Sequence, residues 1–238
     1  MLVKINGLEQ RVSIHGADAT RPALLLVNGA GVALSRIAAF FRSWESAFRI
    51  VHWDQPTMGT ITFDRLAADG VAVADAVCDH LGLDTLILLA TSAGSIVGLK
   101  MIKARPDRFS AYVGTGQIVL GRDVTESSEG LALTPAEQAA FAELPRTGGD
   151  QRAEATRMYE QLKNEMAAFD ARALGLDYAV PMYFIQGDRD RYTPTTRVAA
   201  FEAEISAPRK SLIVVEGGGH AVMFMRDAFL AALTSAIA

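Results

Sequence analysis

A serine with small neighbours stands at the end of an apolar run. The stretch LILLATSAGSIVG covers residues 86–98, with Ala90 two positions before Ser92 and Gly94 two positions after it. A nucleophilic serine on a tight strand-to-helix turn has a strained backbone, and it requires small side chains at these two positions. The usual pattern is glycine-x-serine-x-glycine, so Ala90 is a variant. The spacing indicates a nucleophile, with a purely structural serine as the alternative.

A histidine late in the chain is the base predicted for this serine. A serine hydroxyl is a poor nucleophile until a base removes its proton. His220 follows three glycines in IVVEGGGHAVMF, after the last strand-like run. This matches the chain order serine, acid, histidine, in which the histidine follows the final strand. The other histidines lie in an early turn, a core-like run and a helix end, which favours structural roles: His15, His52 and His80.

Two aspartates are candidates for the acid that holds the histidine in one tautomer. Both follow the apolar part of YFIQGDRDRYTP, where a late strand should end. Asp188 comes directly after Gly187 and could instead cap the turn, whereas Asp190 lies further into the loop. The spacing alone leaves both aspartates open.

Alternating strands and helices must position these side chains. Runs of apolar and β-branched residues occur at 23–29, 49–55, 85–91, 111–117, 181–188 and 210–219. Their continuous hydrophobicity is typical of parallel strands that are covered on both faces. Helical spacing between them predicts an α/β fold with a doubly wound sheet. The first 16 residues alternate like a hairpin, which predicts an antiparallel first edge.

Residues 118–179 depart from this alternation. They contain no convincing strand and two helical stretches, the first beginning at Thr134 with a capping pattern that includes Pro135 and Glu137. We therefore predict a core of residues 1–117 and 180–238 and a small helical cap of residues 118–179. Such an insertion should lie over the crevice at the carboxyl ends of the strands, where open α/β sheets bind ligands.

Composition and charge exclude several other classes of protein. The chain has 238 residues, of which 50% are hydrophobic, and this predicts one principal domain. The net charge is −4 and no basic run is present, so we expect no nucleic-acid partner. The single cysteine, Cys78, excludes an intramolecular disulfide, and no residues have metal-ligand spacing, so we expect no metal and no cofactor.

The start of the chain does not resemble a targeting segment. The stretch MLVKINGLEQR places Lys4, Glu9 and Arg11 where a signal peptide needs an apolar core. No apolar run approaches the length that spans a membrane. We therefore expect a cytoplasmic location and no membrane partner.

The motifs, taken together, resemble those of the α/β-hydrolase superfamily, and within it the proline-iminopeptidase-like serine hydrolases. The stretches that carry the resemblance occur in family order: LLLVNGAG, VHWDQPTMG, LLATSAGSIVGL, RPDRFSAYVGTGQ, YFIQGDRDRYTP and GGGHAVMF. The resemblance implies an α/β-hydrolase fold, with a mostly parallel central sheet flanked by helices and a small helical cap. In similar family members the acid is the aspartate three residues after the glycine, which selects Asp190 over Asp188.

An acyl-transfer site also needs two backbone N–H groups that bind the oxyanion. One belongs to the residue after the nucleophile, which is Ala93. The resemblance points to Ala30 for the other, in the loop VNGAGVAL, where Gly29 and Gly31 let the backbone turn. Family members commonly have a histidine at the position of Asn28.

Two departures from the family affect the expected site. The family often has a tryptophan after the nucleophile, and Ala93 leaves room there. The family segment aspartate-glutamine-arginine-glycine is replaced by Asp54-Gln55-Pro56-Thr57, which lacks the bracing arginine. That loop must therefore be held differently, and we interpret Asp54 as a structural turn carboxylate.

Several residues are candidates for substrate contacts. Side chains beside the catalytic loops could form an apolar pocket, although such residues more often pack in a core; the candidates are Gly29, Trp53, Met223 and Phe224. The acids of the predicted cap are interpreted as solvated surface charges: Glu126, Glu129, Glu137 and Glu143. The alternative is that one or more of them receives the free amino group of a substrate, as cap acids do in related aminopeptidases.

The sequence therefore predicts a serine hydrolase that cleaves small carboxylic esters, or amides, through an acyl-enzyme. Two alternatives stay open: an aminopeptidase that releases an N-terminal residue such as proline, and a ligand receptor that does not hydrolyse, since fold does not fix function. The expected partner is a small ester, an amide or a short peptide. The oligomeric state is not predicted.

Overall fold

The computed structural model describes residues 1–29, 33–125, 131–144 and 151–238. Within these residues, the strands are β1 Leu2–Ile5, β2 Leu8–His15, β3 Ala23–Val27, β4 Arg49–Asp54, β5 Leu86–Thr91, β6 Phe109–Thr115, β7 Met182–Gly187 and β8 Lys210–Val215. They form one sheet in the order β1-β2-β4-β3-β5-β6-β7-β8. Strands β3 to β8 pair in parallel, and β2 is antiparallel to both β1 and β4. The predicted α/β class with a mostly parallel sheet is confirmed.

The predicted hairpin at the first edge is also confirmed. β1 and β2 pair in antiparallel register, with Ile5 opposite Leu8. The turn between them is Asn6-Gly7, and both residues have positive φ, at 49° and 81°. Asparagine and glycine tolerate this conformation better than other residues, which is why this dipeptide favours tight hairpins.

Helices connect the strands. The α-helices of the described residues are α1 Phe63–Leu81, α2 Ala93–Ala104, α3 Gly121–Thr125, α4 Pro135–Ala142, α5 Gln151–Ala168, α6 Thr195–Glu204 and α7 Arg226–Ile237. The 3-10 helices are Leu34–Ser46, Pro106–Arg108, Ala171–Leu174 and Val222–Phe224. In the part of the chain that the structure describes, no helix is both long and apolar enough to cross a bilayer.

The sheet separates two hydrophobic cores. Alternate residues of β3 show this arrangement, because Leu25 and Val27 enter one core while Leu24 and Leu26 enter the other. Helices α1, α2 and α6 cover the first core, and the 3-10 helix Leu34–Ser46 covers the second together with α7. Burial on both faces accounts for the continuous hydrophobicity of the central strands.

The described part of residues 118–179 contains helices and no strand, apart from two isolated bridges, which pair Leu120 with Asp170 and Asp177 with Ser206. Two side chains of α5 bond to the backbone at the start of α1. Gln161 Oε1 accepts a hydrogen bond from the Ile61 N–H at 3.0 Å, and Glu165 Oε2 accepts one from the Phe63 N–H at 3.0 Å. The helical content agrees with a cap, whose boundaries stay a prediction.

One histidine is buried in the sheet. His52 lies in β4, is 1% exposed and packs against Phe41. Neither of its ring nitrogens has a hydrogen-bond partner among the described residues. Burial, together with the charge of His15, lowers its pKa from 6.5 to about 3. The neutral imidazole is therefore the form that fits the fold.

We expect His52→Leu to make the protein less sensitive to acid. Between pH 6.5 and 3 the unfolded chain protonates this imidazole while the folded chain does not, so folding stability falls as the pH falls. The loss from this group is about 1.4 kcal/mol for each pH unit. Urea unfolding between pH 7 and 4 should show a shallower loss in His52→Leu. His80→Gln, at an exposed position in α1, is the control, and an equal slope in both variants would contradict the assignment.

Candidate active site

Ser92 lies on a strained turn between β5 and α2. Its φ is 54° and its ψ is −132°, in a region that residues with a Cβ rarely adopt. Two neighbours hold this backbone. The Ser92 N–H donates to the Thr115 carbonyl at 3.1 Å, and the Ser95 hydroxyl donates to the Ser92 carbonyl at 2.6 Å. The strain is located where a nucleophilic serine would need it.

Close backbone packing explains the small residues around this turn. A Cβ on Gly94 would lie 2.3 Å from the Val27 carbonyl oxygen, and a Cβ on Gly29 would lie 2.8 Å from the Cβ of Ser92. Ala90 is buried, and a Cβ on Gly98 would lie 2.7 Å from the Ala90 Cβ. The start of α2 therefore packs directly against the ends of β3 and β5.

The structure brings Ser92, His220 and Asp190 together. The Nε2 atom of His220 is 2.9 Å from the Ser92 Oγ, and its Nδ1 atom is 3.2 Å from the Asp190 Oδ2. The Asp190 side chain is fully buried and that of His220 is 10% exposed. In this geometry, an imidazole with its proton on Nδ1 donates to the carboxylate and can accept the serine proton on Nε2.

The acid loop holds the carboxylate of Asp190 in a fixed orientation. Its Oδ1 accepts hydrogen bonds from the Tyr192 and Thr193 N–H groups at 2.9 and 2.8 Å, and its Oδ2 accepts one from the Thr193 hydroxyl at 2.5 Å. Asp188 is exposed and has Arg189 as an ion-pair partner at 4.0 Å. Asp190, and not Asp188, is the aspartate beside the imidazole.

Three residues that were not predicted from the sequence pack around the imidazole of His220. The Thr193 Oγ1 is 3.2 Å from His220 Nδ1. The Tyr192 ring packs edge-on against the His220 ring, with 4.8 Å between centroids, and burial raises the pKa of its phenol to about 12. Gly116 has φ 50°, and a Cβ there would lie 2.9 Å from the Cε1 of His220. Tyr192 and Thr193 lie two and three residues after Asp190. This closeness in sequence to the predicted acid is the signal that could have identified them.

Two buried glutamines support the acid loop. The Gln186 Nε2 donates to the Thr193 carbonyl at 3.2 Å, and its Oε1 accepts from the Gln117 N–H at 3.2 Å. The Tyr112 hydroxyl donates to the Gln117 Oε1 at 2.6 Å. Because these side chains are almost fully buried, their hydrogen bonds fix the acid loop relative to β6 and β7.

The alpha/beta hydrolase family model matches residues 24–232, which is most of the chain. The chain belongs to this family. The predicted family and fold are confirmed, and the strained serine, the aspartate after β7 and the histidine after β8 are placed at the strand ends that the family resemblance implied.

Known proteins similar to this alpha/beta hydrolase include esterases and peptidase relatives. The probable aminopeptidase YbaC of Bacillus subtilis strain 168 is 28% identical over an alignment of 133 residues that covers 51% of this chain. This chain spans 42% of the length of that relative. Two solved structures share the fold at low sequence identity. A thermophilic esterase from Thermogutta terrifontis has a TM-score of 0.74 and 15% identity, and the match covers 99% of this chain and 96% of the esterase. A proline iminopeptidase-related protein from Thermus thermophilus has a TM-score of 0.72 and 19% identity, and the match covers 100% of this chain and 96% of that protein.

The predicted oxyanion donors of this hydrolase are described only in part. Ala93 is the first residue of α2. Gly29 lies close to its backbone nitrogen, because a Cβ added to Gly29 would be only 2.9 Å from that atom. A helix N-terminus presents N–H groups and a positive partial charge, which suits an oxyanion. Ala30 and Gly31 lie outside the described residues.

Other contacts replace the bracing arginine of the family. The Gln55 Nε2 donates to the Asn28 carbonyl at 2.9 Å. The Asp54 Oδ2 accepts from the Ser35 hydroxyl at 2.5 Å, which agrees with a structural carboxylate. These two bonds join the ends of β3 and β4 and the 3-10 helix after β3.

The four candidate pocket residues of this hydrolase have different environments. Gly29 contacts the serine turn. Trp53 is 2% exposed and donates from Nε1 to the Gln10 Oε1 at 2.8 Å within the first core, and its pocket role stays a prediction. Met223 is enclosed in the second core. Phe224 is partly exposed and packs against Phe141 of α4, with 4.7 Å between ring centroids.

One acid of the predicted cap is not a surface charge. Glu137 is completely buried, so its interpretation as a solvated residue is wrong. Its carboxylate takes part in the predicted capping box with Thr134, which is confirmed, and also bonds outside its helix. Glu143 is exposed and lies 3.5 Å from Arg226. Glu126 and Glu129 lie outside the described residues.

Residues 1–29, 33–125, 131–144 and 151–238 contain no group of three or more histidine, cysteine, aspartate or glutamate side chains that could hold an ion.

Proposed function

We propose that this protein is a serine hydrolase that cleaves small carboxylic esters through an acyl-enzyme. One observation carries the proposal. Ser92, with φ 54°, has its hydroxyl 2.9 Å from one ring nitrogen of His220, and the other ring nitrogen is 3.2 Å from the buried carboxylate of Asp190. A serine, a base and an orienting acid in this order are what nucleophilic catalysis of acyl transfer requires.

The chemistry proceeds in two steps. The Ser92 Oγ attacks the substrate carbonyl carbon while His220 Nε2 takes the hydroxyl proton, and His220 then returns that proton to the departing alcohol. Water, deprotonated by the same nitrogen, attacks the acyl-enzyme and releases the acid and the free serine. The Ala93 N–H, with Ala30 as the predicted second donor, binds the oxyanion formed in each step.

Asp190 serves this cycle without gaining a proton. The imidazole becomes positively charged each time it accepts a proton, and the adjacent carboxylate stabilises that charge. The N–H groups of Tyr192 and Thr193 and the Thr193 hydroxyl compensate the carboxylate inside the protein. Such compensation is necessary because an unpaired buried charge is strongly unfavourable.

Two described acids of the cap that the sequence singled out, Glu137 and Glu143, favour an ester as the first substrate class. An aminopeptidase needs a carboxylate that receives a free amino group. Glu137 already accepts backbone hydrogen bonds at both oxygens, and Glu143 is exposed beside Arg226. A second candidate, the release of an N-terminal residue such as proline, is favoured by the similarity to a probable aminopeptidase and to a proline iminopeptidase-related protein.

A fluorophosphonate probe tests the proposal directly. We expect wild-type protein to gain one probe adduct by intact-mass spectrometry, because the probe captures activated serines. Ser92→Ala should gain none, and Ser43→Ala, which changes an exposed serine, should be labelled like the wild type. A folded wild type that stays unlabelled would overturn the proposal and favour a ligand receptor.

Two sets of chromogenic substrates separate the enzyme classes. Turnover of short p-nitrophenyl acyl esters well above that of proline amide chromogens supports the esterase. Turnover confined to the amides would reverse this order and support the aminopeptidase.

A further inference from the structure

We infer that Glu137, a residue of helix α4 in the predicted cap, is a positioning residue for the base His220. This inference rests on the proposed function, and it extends the site from the core into the cap. Glu137 does not contact the reacting atoms in the inferred role. It acts through the backbone of the residue that precedes the histidine.

The contact is a buried hydrogen bond across 82 positions of sequence. The Oε1 of Glu137 accepts from the Gly219 N–H at 2.8 Å, and its Oε2 accepts from the Thr134 N–H at 2.9 Å. The Glu137 side chain is fully buried. A carboxylate in this environment binds N–H groups strongly, since the charged acceptor is compensated by few other donors. The carboxylate thus links the first turn of α4 to the loop that carries His220.

The third glycine of the GGG stretch fits this contact. A Cβ on Gly219 would lie 2.7 Å from the Glu137 Oε2 and 3.1 Å from the Thr134 Cγ2. A side chain at 219 would displace the Glu137 carboxylate from this contact. The close approach of α4 therefore explains the glycine at position 219. The chemistry of the histidine does not itself require a glycine there.

Further contacts join α4 to the chain after His220. Phe141 packs against Phe224, and Glu143 lies 3.5 Å from Arg226. Helix α4 therefore contacts the histidine loop on both sides of the imidazole. Of these contacts, only that of Glu137 reaches the residue adjacent to His220, so its loss should displace the imidazole most.

Variants of α4 test the inference on the intact protein. We expect Glu137→Ala to lower kcat for a p-nitrophenyl ester by about 10- to 100-fold with KM within about threefold, since a small misplacement of a catalytic group slows the chemical step. Glu137→Gln keeps one oxygen that can accept the Gly219 N–H, and it should lose less. Glu143→Gln makes the same charge change at the residue that follows α4 and should stay within about threefold of the wild type.

Three further measurements separate positioning from general support of the helix. Thr134→Ala removes the side-chain cap of α4 but leaves the bond to Gly219, so it should lower the melting temperature without the loss of kcat. Amide hydrogen exchange in residues 216–221 should be faster in Glu137→Ala and unchanged in Glu143→Gln. Gly219→Ala should be less harmful in the Glu137→Ala background than alone, because the clashing carboxylate is gone.

The outcomes distinguish this inference from the proposed function. A wild type that reacts with the fluorophosphonate while Glu137→Ala keeps its kcat would overturn the inference alone. The same holds if Thr134→Ala loses as much kcat as Glu137→Ala. If Glu137→Ala does not fold, Glu137→Gln carries the test, and wild-type kcat and exchange in that variant would overturn the inference. An unlabelled wild type would overturn both.

Discussion

Asp190→Asn is expected to lower kcat for an ester substrate by about 10⁴-fold, while Asp188→Asn stays within about threefold of the wild type. The carboxylate of Asp190 is 3.2 Å from His220 Nδ1. In the proposed mechanism it keeps the proton on Nδ1, which leaves Nε2 free to act as the base. An asparagine side chain can present an N–H to the imidazole and stabilise the wrong tautomer. Asp188 is exposed and makes no such contact in the described structure.

Steady-state kinetics on both variants measure this difference, with circular dichroism as the check on folding. The two substitutions are matched, because each exchanges an aspartate for an asparagine in the same loop. Equal losses, or the larger loss in Asp188→Asn, would show that the wrong carboxylate has been assigned.

Gly94→Ala is the second variant with a large expected effect. A Cβ at this position would lie 2.3 Å from the Val27 carbonyl oxygen and 2.8 Å from that of Asn28. Both atoms belong to backbone, so the start of α2 and the end of β3 must move apart. We expect a loss of stability of about 1–3 kcal/mol from overpacking and a fall in kcat of about 100-fold or more, because Ser92 and the Ala93 N–H move with α2.

Gly82→Ala is the control for this variant. Gly82 ends α1 with φ 65°, and a Cβ there would contact nothing within 4 Å. Its replacement should lower stability by about 1 kcal/mol through the unfavourable φ while kcat is retained. Urea unfolding and ester kinetics compare the two proteins. A Gly94→Ala protein that keeps more than about a third of the wild-type kcat would contradict the packing argument.

The sequence predicted the parts of this molecule that depend on local pattern. Continuous apolar runs predicted parallel strands, and the cores on both faces of β3 explain why that pattern holds. Thr134 and Glu137 predicted a capping box, which is present. Asn6-Gly7 turns the first hairpin with positive φ at both residues. Each of these features is determined within a few neighbouring residues.

Contacts between distant residues were not predictable in the same way. Glu137 was interpreted as a surface charge, because helix spacing does not show that Gly219 approaches α4. Trp53 was expected near the substrate, although its neighbour in space is Gln10 of β2. Spacing left Asp188 and Asp190 undecided, and the family resemblance selected the one that lies beside His220. The Ala30 prediction falls outside the described residues and stays a prediction.

The separation of Ser92 and His220 by 128 positions has a consequence for the protein during its synthesis. The ribosome adds the serine turn early and the histidine loop late, with the acid loop between them. On the proposed chemistry, a nascent chain that has completed β5 but not β8 has no base for its serine, and it cannot acylate itself or attack its surroundings. On the same chemistry, the serine becomes reactive only when the last parallel strand has joined the sheet.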